Sequence, residues 1–354
     1  MVGGGDEHDS APPARAVAEQ GRPIMRAVVT GAAGFIGSAL VDRLLADGHQ
    51  VVGIDNLRTG IATNLESAYS RNAQCPRRFT FLEADIQAPE LVDFIVGSNP
   101  QAIFHLAAHV DSRKGAQDPQ FDAYSNVLGT INVCEASRKA GVRRIVYAAS
   151  GASRYGAAQT AALVDETSHV DPLSPHAAGK LAGEMYLRAY AETYGLAPIC
   201  LALANVYGPR QIPHGAGGTI AALGSAMVTG CPFVIYRDGA AAYDYVYVDD
   251  VADAFVRAGC APISTIGTYN VGSGQHTSIT EVRGLMSAFL DGVPSPTLGA
   301  DDAHDELRSI ALDSTKATME LGWTPIVDLA EGIRRTMQWL CAVLEPDAPT
   351  VVVA

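Results

Sequence analysis

Residues 26–48 read RAVVTGAAGFIGSALVDRLLADG, and residues 51–56 follow with VVGIDN. Ala27, Val28 and Val29 form a short apolar run containing β-branched residues, the pattern of a buried parallel strand. The run enters three glycines, Gly31, Gly34 and Gly37, after which Leu40, Val41, Leu44 and Leu45 recur at helical spacing. Glycines between a strand and a helix let main-chain N–H groups approach a pyrophosphate, and the helix start, here Phe35 and Ile36, adds unpaired donors and partial positive charge. The second strand, Val51 to Ile54, ends in Asp55, with Asn56 behind it. A carboxylate there accepts from a ribose diol and repels a 2′-phosphate, which favours NAD over NADP.

The composition bounds the rest. A chain of 354 residues holds one large α/β domain or two lobes. A formal net charge of −13 argues against a general binder of nucleic acid or anionic membrane, since phosphate backbones reward clustered Lys and Arg. Six cysteines form no C-x-x-C pair, which suggests neither zinc knuckle nor redox dithiol and suits a reducing cytoplasm. No His-Glu-x-x-His is present and no metal site is expected. Residues 1–23 lack a basic-then-apolar segment and read as a disordered extension, residues 346–354 as a flexible tail, and no apolar run reaches membrane-spanning length.

Further strands are expected at Phe79 to Leu82, Ala102 to Ala107, Val142 to Ala148 and Ile199 to Ala204. The third ends in Asp85-Ile86, which reads either as an adenine contact or as a helix cap. The fourth ends in Leu106-Ala107-Ala108, small enough for a dinucleotide to lie against the strand ends. Phe121 to Ala140 reads as one long amphipathic helix carrying Asn126, and His176 to Tyr194 as another. The alternation loosens after about Gly208, which places the smaller lobe at 208–345 and the dinucleotide domain at 24–207, its sheet completed by later segments. The fold class is therefore α/β, a Rossmann-type doubly wound parallel sheet with a smaller C-terminal substrate lobe.

With GAAGFIG, DNL, ADI, HLAA, Asn126, NVYGPRQIPHG, YDYVYVDDV, YNVGSG and LDSTKATMELGWTP in order, the chain resembles an extended short-chain dehydrogenase/reductase. Within that family it resembles the UDP-glucose 4-epimerase and NDP-sugar dehydratase branch, over roughly residues 24 to 345. The resemblance implies NAD(H) held by Gly31, Gly34, Phe35, Ile36, Gly37, Asp55, Asn56, Asp85, Ile86, Leu106, Ala107, Ala108, Asn126 and Lys180. It also implies a homodimer through the two long helices, and transient oxidation of a sugar hydroxyl to a ketone.

The family meets the need for a base with a Tyr-x-x-x-Lys pair on one helix face and a Ser or Thr after the fifth strand. Here the helix reads Ser174-Pro175-His176-Ala177-Ala178-Gly179-Lys180, with His where the Tyr belongs. Gly151 takes the Ser/Thr position, with Ser150 before it, and Ala152 and Ser153 replace the Asp-Glu of dehydratases. Tyr243 stands where a diphosphate-binding Arg is usual, and Asp301 to Asp305 (DDAHD) supplies no second one. Two such contacts are worth about 1.5–3 kcal/mol each. The catalytic candidates are thus Lys180, His176, Ser150 and Ser153; the substrate-binding candidates are His109, Asn205, Tyr243 and His304.

Three readings follow. An active NAD-dependent enzyme would use His176, whose ordinary pKa of roughly 6.5 makes it a base at neutral pH, on a nucleotide sugar or on a sugar, nucleoside or polyol lacking a diphosphate. Read without chemistry, His176 is only a helix-start residue. A non-catalytic NAD(H)-binding or regulatory protein would keep the cofactor half alone. A conventional UDP-sugar 4-epimerase would need Tyr155 or Ser153 to take the missing roles.

Overall fold

Seven parallel strands form the sheet: β1 (Arg26–Thr30), β2 (Gln50–Asp55), β3 (Phe79–Glu83), β4 (Ala102–His105), β5 (Arg144–Ser150), β6 (Ala197–Leu203) and β7 (Gly267–Val271). Their order is β7-β6-β5-β4-β1-β2-β3. The computed structural model describes residues 24–156, 163–212, 218–231, 234–235, 242–289, 297–298 and 310–344. The expected extension 1–23, the tail 346–354 and the DDAHD run with His304 lie outside the described residues.

The order reverses direction between β1 and β4, and ligands of such sheets bind beyond the strand carboxyl ends at that point. Successive residues of β1 enter opposite cores, as the two-residue period of a strand requires. Ala27 and Val29 pack with Leu40 and Leu44 of α1 (Phe35–Ala46) and with Phe104 and Phe255. Val28 joins Ile54, Ile95, Ile103, Val133 and Ile145 on the other face.

The segment expected as one helix from Phe121 is divided in three: α2 (Pro119–Ala123), a π turn at Tyr124–Leu128, and α3 (Gly129–Lys139). Asp118 caps α2 through the Phe121 N–H, and Pro119 follows at the first turn. The wide turn carries Asn126, and π turns of this kind often mark functional sites. The second long helix, α4 (Pro175–Tyr194), is capped by the Ser174 hydroxyl and ends at Gly195 in the left-handed region.

After β6 the chain forms a short strand, Asn205–Tyr207, paired in parallel with Tyr245–Tyr247. Helix α5 (Val248–Cys260) then returns to lie beside α1, where Arg43 meets Asp253 at 2.8 Å, and β7 closes the sheet next to β6. Helices Thr219–Thr229, Ile279–Ser287 and Leu329–Val343 pack through Leu223, Met286, Met337 and Leu340 into the same apolar core as α1. Residues 248–271 thus belong spatially to the sheet although they follow Gly208.

Candidate active site

The glycine turn is shaped by close backbone approach. Gly31 has φ +73°, and a Cβ there would stand 2.7 Å from the Ala107 nitrogen. A Cβ on Gly37 would lie 1.9 Å from the Gly31 carbonyl oxygen, so no side chain fits. Gly34 is the N-cap of α1 and offers no side chain, which leaves the first-turn N–H groups, at Phe35 and Ile36, without a side-chain acceptor. Such a helix start is a ready anion site.

Asp55 is buried at the end of β2, where its two oxygens accept from Ala33 N–H and Leu57 N–H, each at 2.9 Å. Burial raises its pKa above the usual carboxylate value, against the pull of those main-chain bonds. The carboxylate therefore braces the glycine turn and retains lone pairs for a ribose. Asn56 donates to Asp85 at 2.8 Å, joining the ends of β2 and β3. Ile86 is buried against Gly129, and Leu106, Ala107 and Ala108 line the partly open end of β4. Cradle and donor set fit a dinucleotide.

A buried hydrogen-bond chain supports that end of the sheet. Ala107 N–H donates to Thr30 Oγ1 (3.3 Å), and Thr130 Oγ1 donates to the Asn126 carbonyl (2.7 Å). His105 lies between the two hydroxyls, at 2.8 Å from Thr30 through Nδ1 and 3.1 Å from Thr130 through Nε2. Since the Thr130 proton is already committed, His105 must donate from Nε2 and accept at Nδ1. Burial, then the Lys180 charge, lowers its pKa to about 3, so the ring is neutral.

Lys180, on α4, is only 7% exposed. Its ammonium lies 4.3 Å above the Tyr147 ring, and burial lowers its pKa to about 8. His176 is one turn earlier on the same helix. Burial, followed by the Lys180 charge, lowers its pKa to about 4, while Asp122 pulls the other way. The imidazole is therefore neutral at pH 7, and a weaker base there than an ordinary histidine.

The structure adds a carboxylate that the motifs did not single out. Asp122, on α2, is 1% exposed and lies among His109, Asn126 and His176. Its Oδ2 is 3.0 Å from His109 Nδ1 and 3.8 Å from His176 Nδ1. Its Oδ1 accepts from Asn126 Nδ2 at 3.1 Å. The same Asn126 amide donates to the His109 carbonyl (3.0 Å) and accepts from His109 N–H (2.8 Å). Asn126, expected against the cofactor, thus has both amide hydrogens committed to the protein and shapes the loop after β4. Asp122 lies four residues before Asn126, a separation that a search for polar groups on one helix face would have caught.

Ser150 and Ser153 share a 2.6 Å hydrogen bond at the end of β5. A side chain at Gly151 would be crowded: its Cβ would stand 2.6 Å from the tip of the Leu312 side chain and 3.1 Å from the Ala202 and Leu203 carbonyls. The Tyr155 hydroxyl donates to Asn270 at 2.7 Å in a buried setting, and burial pushes its pKa up to about 12. Tyr155 is a poor candidate for the missing base. Arg154 pairs with the buried Glu184, which lies one turn beyond Lys180 and also accepts from Thr268.

Asn205 and Tyr243 flank the buried Asp244. Asn205 donates to the Asp244 carbonyl through N–H (2.9 Å) and Nδ2 (3.2 Å). The Asp244 carboxylate accepts from Ser273 N–H and Oγ, Gly274 N–H and Leu312 N–H, so it ties YNVGSG into the fold. Tyr243 is partly buried, its ring edge-on to Tyr245 at 6.1 Å. No group of three or more His, Cys, Asp or Glu among the described residues is placed to hold a metal ion.

A family model described as the NAD dependent epimerase/dehydratase family matches residues 27–272. The chain is 46% identical over 315 residues to UDP-glucose 4-epimerase of Mycolicibacterium smegmatis, covering 89% of this chain and 98% of the relative. UDP-glucose 4-epimerase of Thermotoga maritima, solved with UDP-glucose, superposes with TM-score 0.82 at 35% identity, over 91% of this chain and 100% of that one. The Thermus thermophilus UDP-glucose 4-epimerase in complex with NAD gives TM-score 0.80 at 35% identity, over 90% and 100%. The chain belongs to the NAD-dependent epimerase/dehydratase family, with NAD as its cofactor.

Proposed function

We propose that this protein is a nucleotide-sugar 4-epimerase in which His176 takes the proton-transfer role that a tyrosine has in its relatives. The observation that carries this reading is the partly buried His176 and the buried Lys180, one helical turn apart on α4, in a chain whose glycine turn and Asp55 suit NAD. The glycine turn and Asp55 would hold NAD, which would supply a hydride acceptor for the carbon bearing the hydroxyl. His176 takes the hydroxyl proton, which its neutral state at pH 7 permits. The Lys180 ammonium favours the charge that develops on the oxygen and binds the nicotinamide ribose. Ser150 and Ser153 orient the substrate hydroxyl.

The similarity to UDP-glucose 4-epimerases over nearly their whole length supports a uridine-diphosphate sugar. Tyr243 in place of an arginine favours a second reading, a sugar or nucleoside without diphosphate, with His109 and Asn205 as contacts; His304, the remaining candidate, lies outside the described residues. Exposed Tyr124, Leu128, Met185, Tyr186 and Tyr194 on the two long helical segments support association with a second copy. Cysteines with no disulfide among the described residues suit a reducing, cytoplasmic setting, and no helix among the described residues is long and apolar enough to cross a membrane.

The test is to identify the co-purifying dinucleotide by mass spectrometry, then mix the protein with UDP-glucose, UDP-galactose and the corresponding free sugars. Interconversion of the UDP-sugars, lost in His176→Ala, supports the first reading. Turnover of free sugars alone supports the second. Bound NAD whose absorbance near 340 nm never changes points to a non-catalytic binder. Turnover that survives His176→Ala removes His176 as base.

A further inference from the structure

We propose that Asp122 is a positioning residue that holds both His109 and His176 as their Nδ1–H tautomers, so that a His-Asp-His unit replaces the phenol of the family's usual pair. The role given to His176 rests on the reading above; the tautomers do not.

Both imidazoles turn Nδ1 toward one oxygen, Asp122 Oδ2, at 3.0 Å from His109 and 3.8 Å from His176. The carboxylate is buried and anchored from its other oxygen by Asn126, whose remaining amide hydrogen and oxygen clamp the His109 main chain. Glycines make room for it: a Cβ on Gly115 would lie 2.8 Å from Oδ2, and one on Gly179 3.0 Å from Oδ1. Gly179 sits between His176 and Lys180 on α4, so the helix that carries the base also presses its backbone toward the carboxylate.

His176 Nδ1 is a buried atom with no hydrogen-bond partner in this arrangement. A bare nitrogen lone pair facing a carboxylate at 3.8 Å is repelled by it, whereas an N–H in that place is attracted. The proton of neutral His176 therefore resides on Nδ1, and the Nε2 lone pair is left for the substrate. In the proton half of the reaction, the substrate O–H bond breaks and an N–H bond forms at Nε2. The resulting imidazolium keeps its Nδ1–H directed at Asp122. The same proton returns to oxygen when the carbonyl is reduced, so the cycle is proton-neutral, and the electron pair is handled by the cofactor. Facing His176 are Lys180 from α4 and the His109 ring, which disfavour an imidazolium, and the His109 main-chain carbonyl, which accepts from the His176 ring and favours one; Asp111, from the loop after β4, faces His109 and favours its charged form.

Asp122→Asn is the informative variant. Asn126 continues to donate to the retained oxygen, while an NH2 now faces both Nδ1 atoms and drives both rings to the Nε2–H form. Holoenzyme labelled with ¹⁵N-histidine is read by NMR, with His109→Gln and His176→Gln assigning the signals. The wild type is expected to show Nδ1–H for both rings, and Asp122→Asn to show Nε2–H. An Nε2–H signal for His176 in the wild type overturns the proposal, whether or not the variant folds.

Turnover is then compared in two backgrounds. Asp122→Asn is expected to lose about 10²-fold or more in kcat beside His176, and less than about 3-fold beside His176→Tyr, where the base is again a phenol. Equal losses in both backgrounds assign Asp122 a merely structural role and overturn the proposal. The expected tautomers in a protein that turns over no sugar would instead sink the epimerase reading.

Discussion

The Lys180 ammonium lies 4.3 Å above the Tyr147 ring, while the Tyr147 hydroxyl donates to the Lys180 carbonyl at 3.3 Å. One aromatic side chain therefore holds both ends of the residue nearest the proposed chemistry. A side chain on Gly183 would come within 2.6 Å of that hydroxyl, so α4 can approach the ring only at a glycine.

Burial lowers the Lys180 pKa to about 8, which sets a pH dependence. Turnover should fall as pH rises through about 8, where the ammonium is lost. Lys180→Arg, charged throughout, should abolish that alkaline limb even if its rate is lower. The stability sign is opposite: the unfolded chain keeps the Lys180 proton up to about pH 10.4, so this group makes stability rise with pH between about 8 and 10.4. Chemical denaturation of wild type and Lys180→Met across that range measures it, and a constant difference between the two would contradict the depressed pKa.

Gly37→Ala places a Cβ 1.9 Å from the Gly31 carbonyl, and backbone cannot move aside as a flexible side chain can. It should destabilise the fold by about 3 kcal/mol or more and abolish NAD retention. Gly97→Ala, on helix Leu91–Ser98 with nothing within 4 Å of the new atom, should be neutral or stabilising by up to about 1 kcal/mol. Thermal melting with analysis of bound nucleotide distinguishes them.

Asp55→Asn leaves one acceptor oxygen for two main-chain donors, Ala33 N–H and Leu57 N–H. The unpartnered group should cost about 1–3 kcal/mol. The loss of negative charge should also narrow the preference for NAD over NADP, read as the ratio of Kd values by calorimetry. An unchanged ratio would place the discrimination elsewhere.

Tyr155→Phe removes the buried donor to Asn270, which should lower stability by about 1–2 kcal/mol. Turnover should stay within about 2-fold of wild type. A fall of about 10²-fold in kcat with unchanged melting would make Tyr155 the base and restore the conventional reading.

The sequence by itself determined the strand, glycine turn, helix and second strand of residues 26–55, because each is encoded by neighbours. The run of apolar residues, the left-handed geometry at Gly31 and the 3.6-residue spacing of Leu40, Leu44 and Leu45 are local facts. Gly151 and His176 were likewise visible as departures, though not their cause. That Gly151 is pressed on the Ala202 and Leu203 carbonyls of β6, and that Tyr155 is occupied by Asn270, follow from contacts between distant strands. The π turn around Asn126 interrupts a pattern that reads as continuous helix, since one extra residue in a turn barely alters apolar spacing. Asp122 carried no signal beyond its four-residue separation from Asn126. Only the tertiary structure put it between His109 from the β4 loop and His176 from α4, because a buried carboxylate draws its partners from whatever chain segments the fold brings around it.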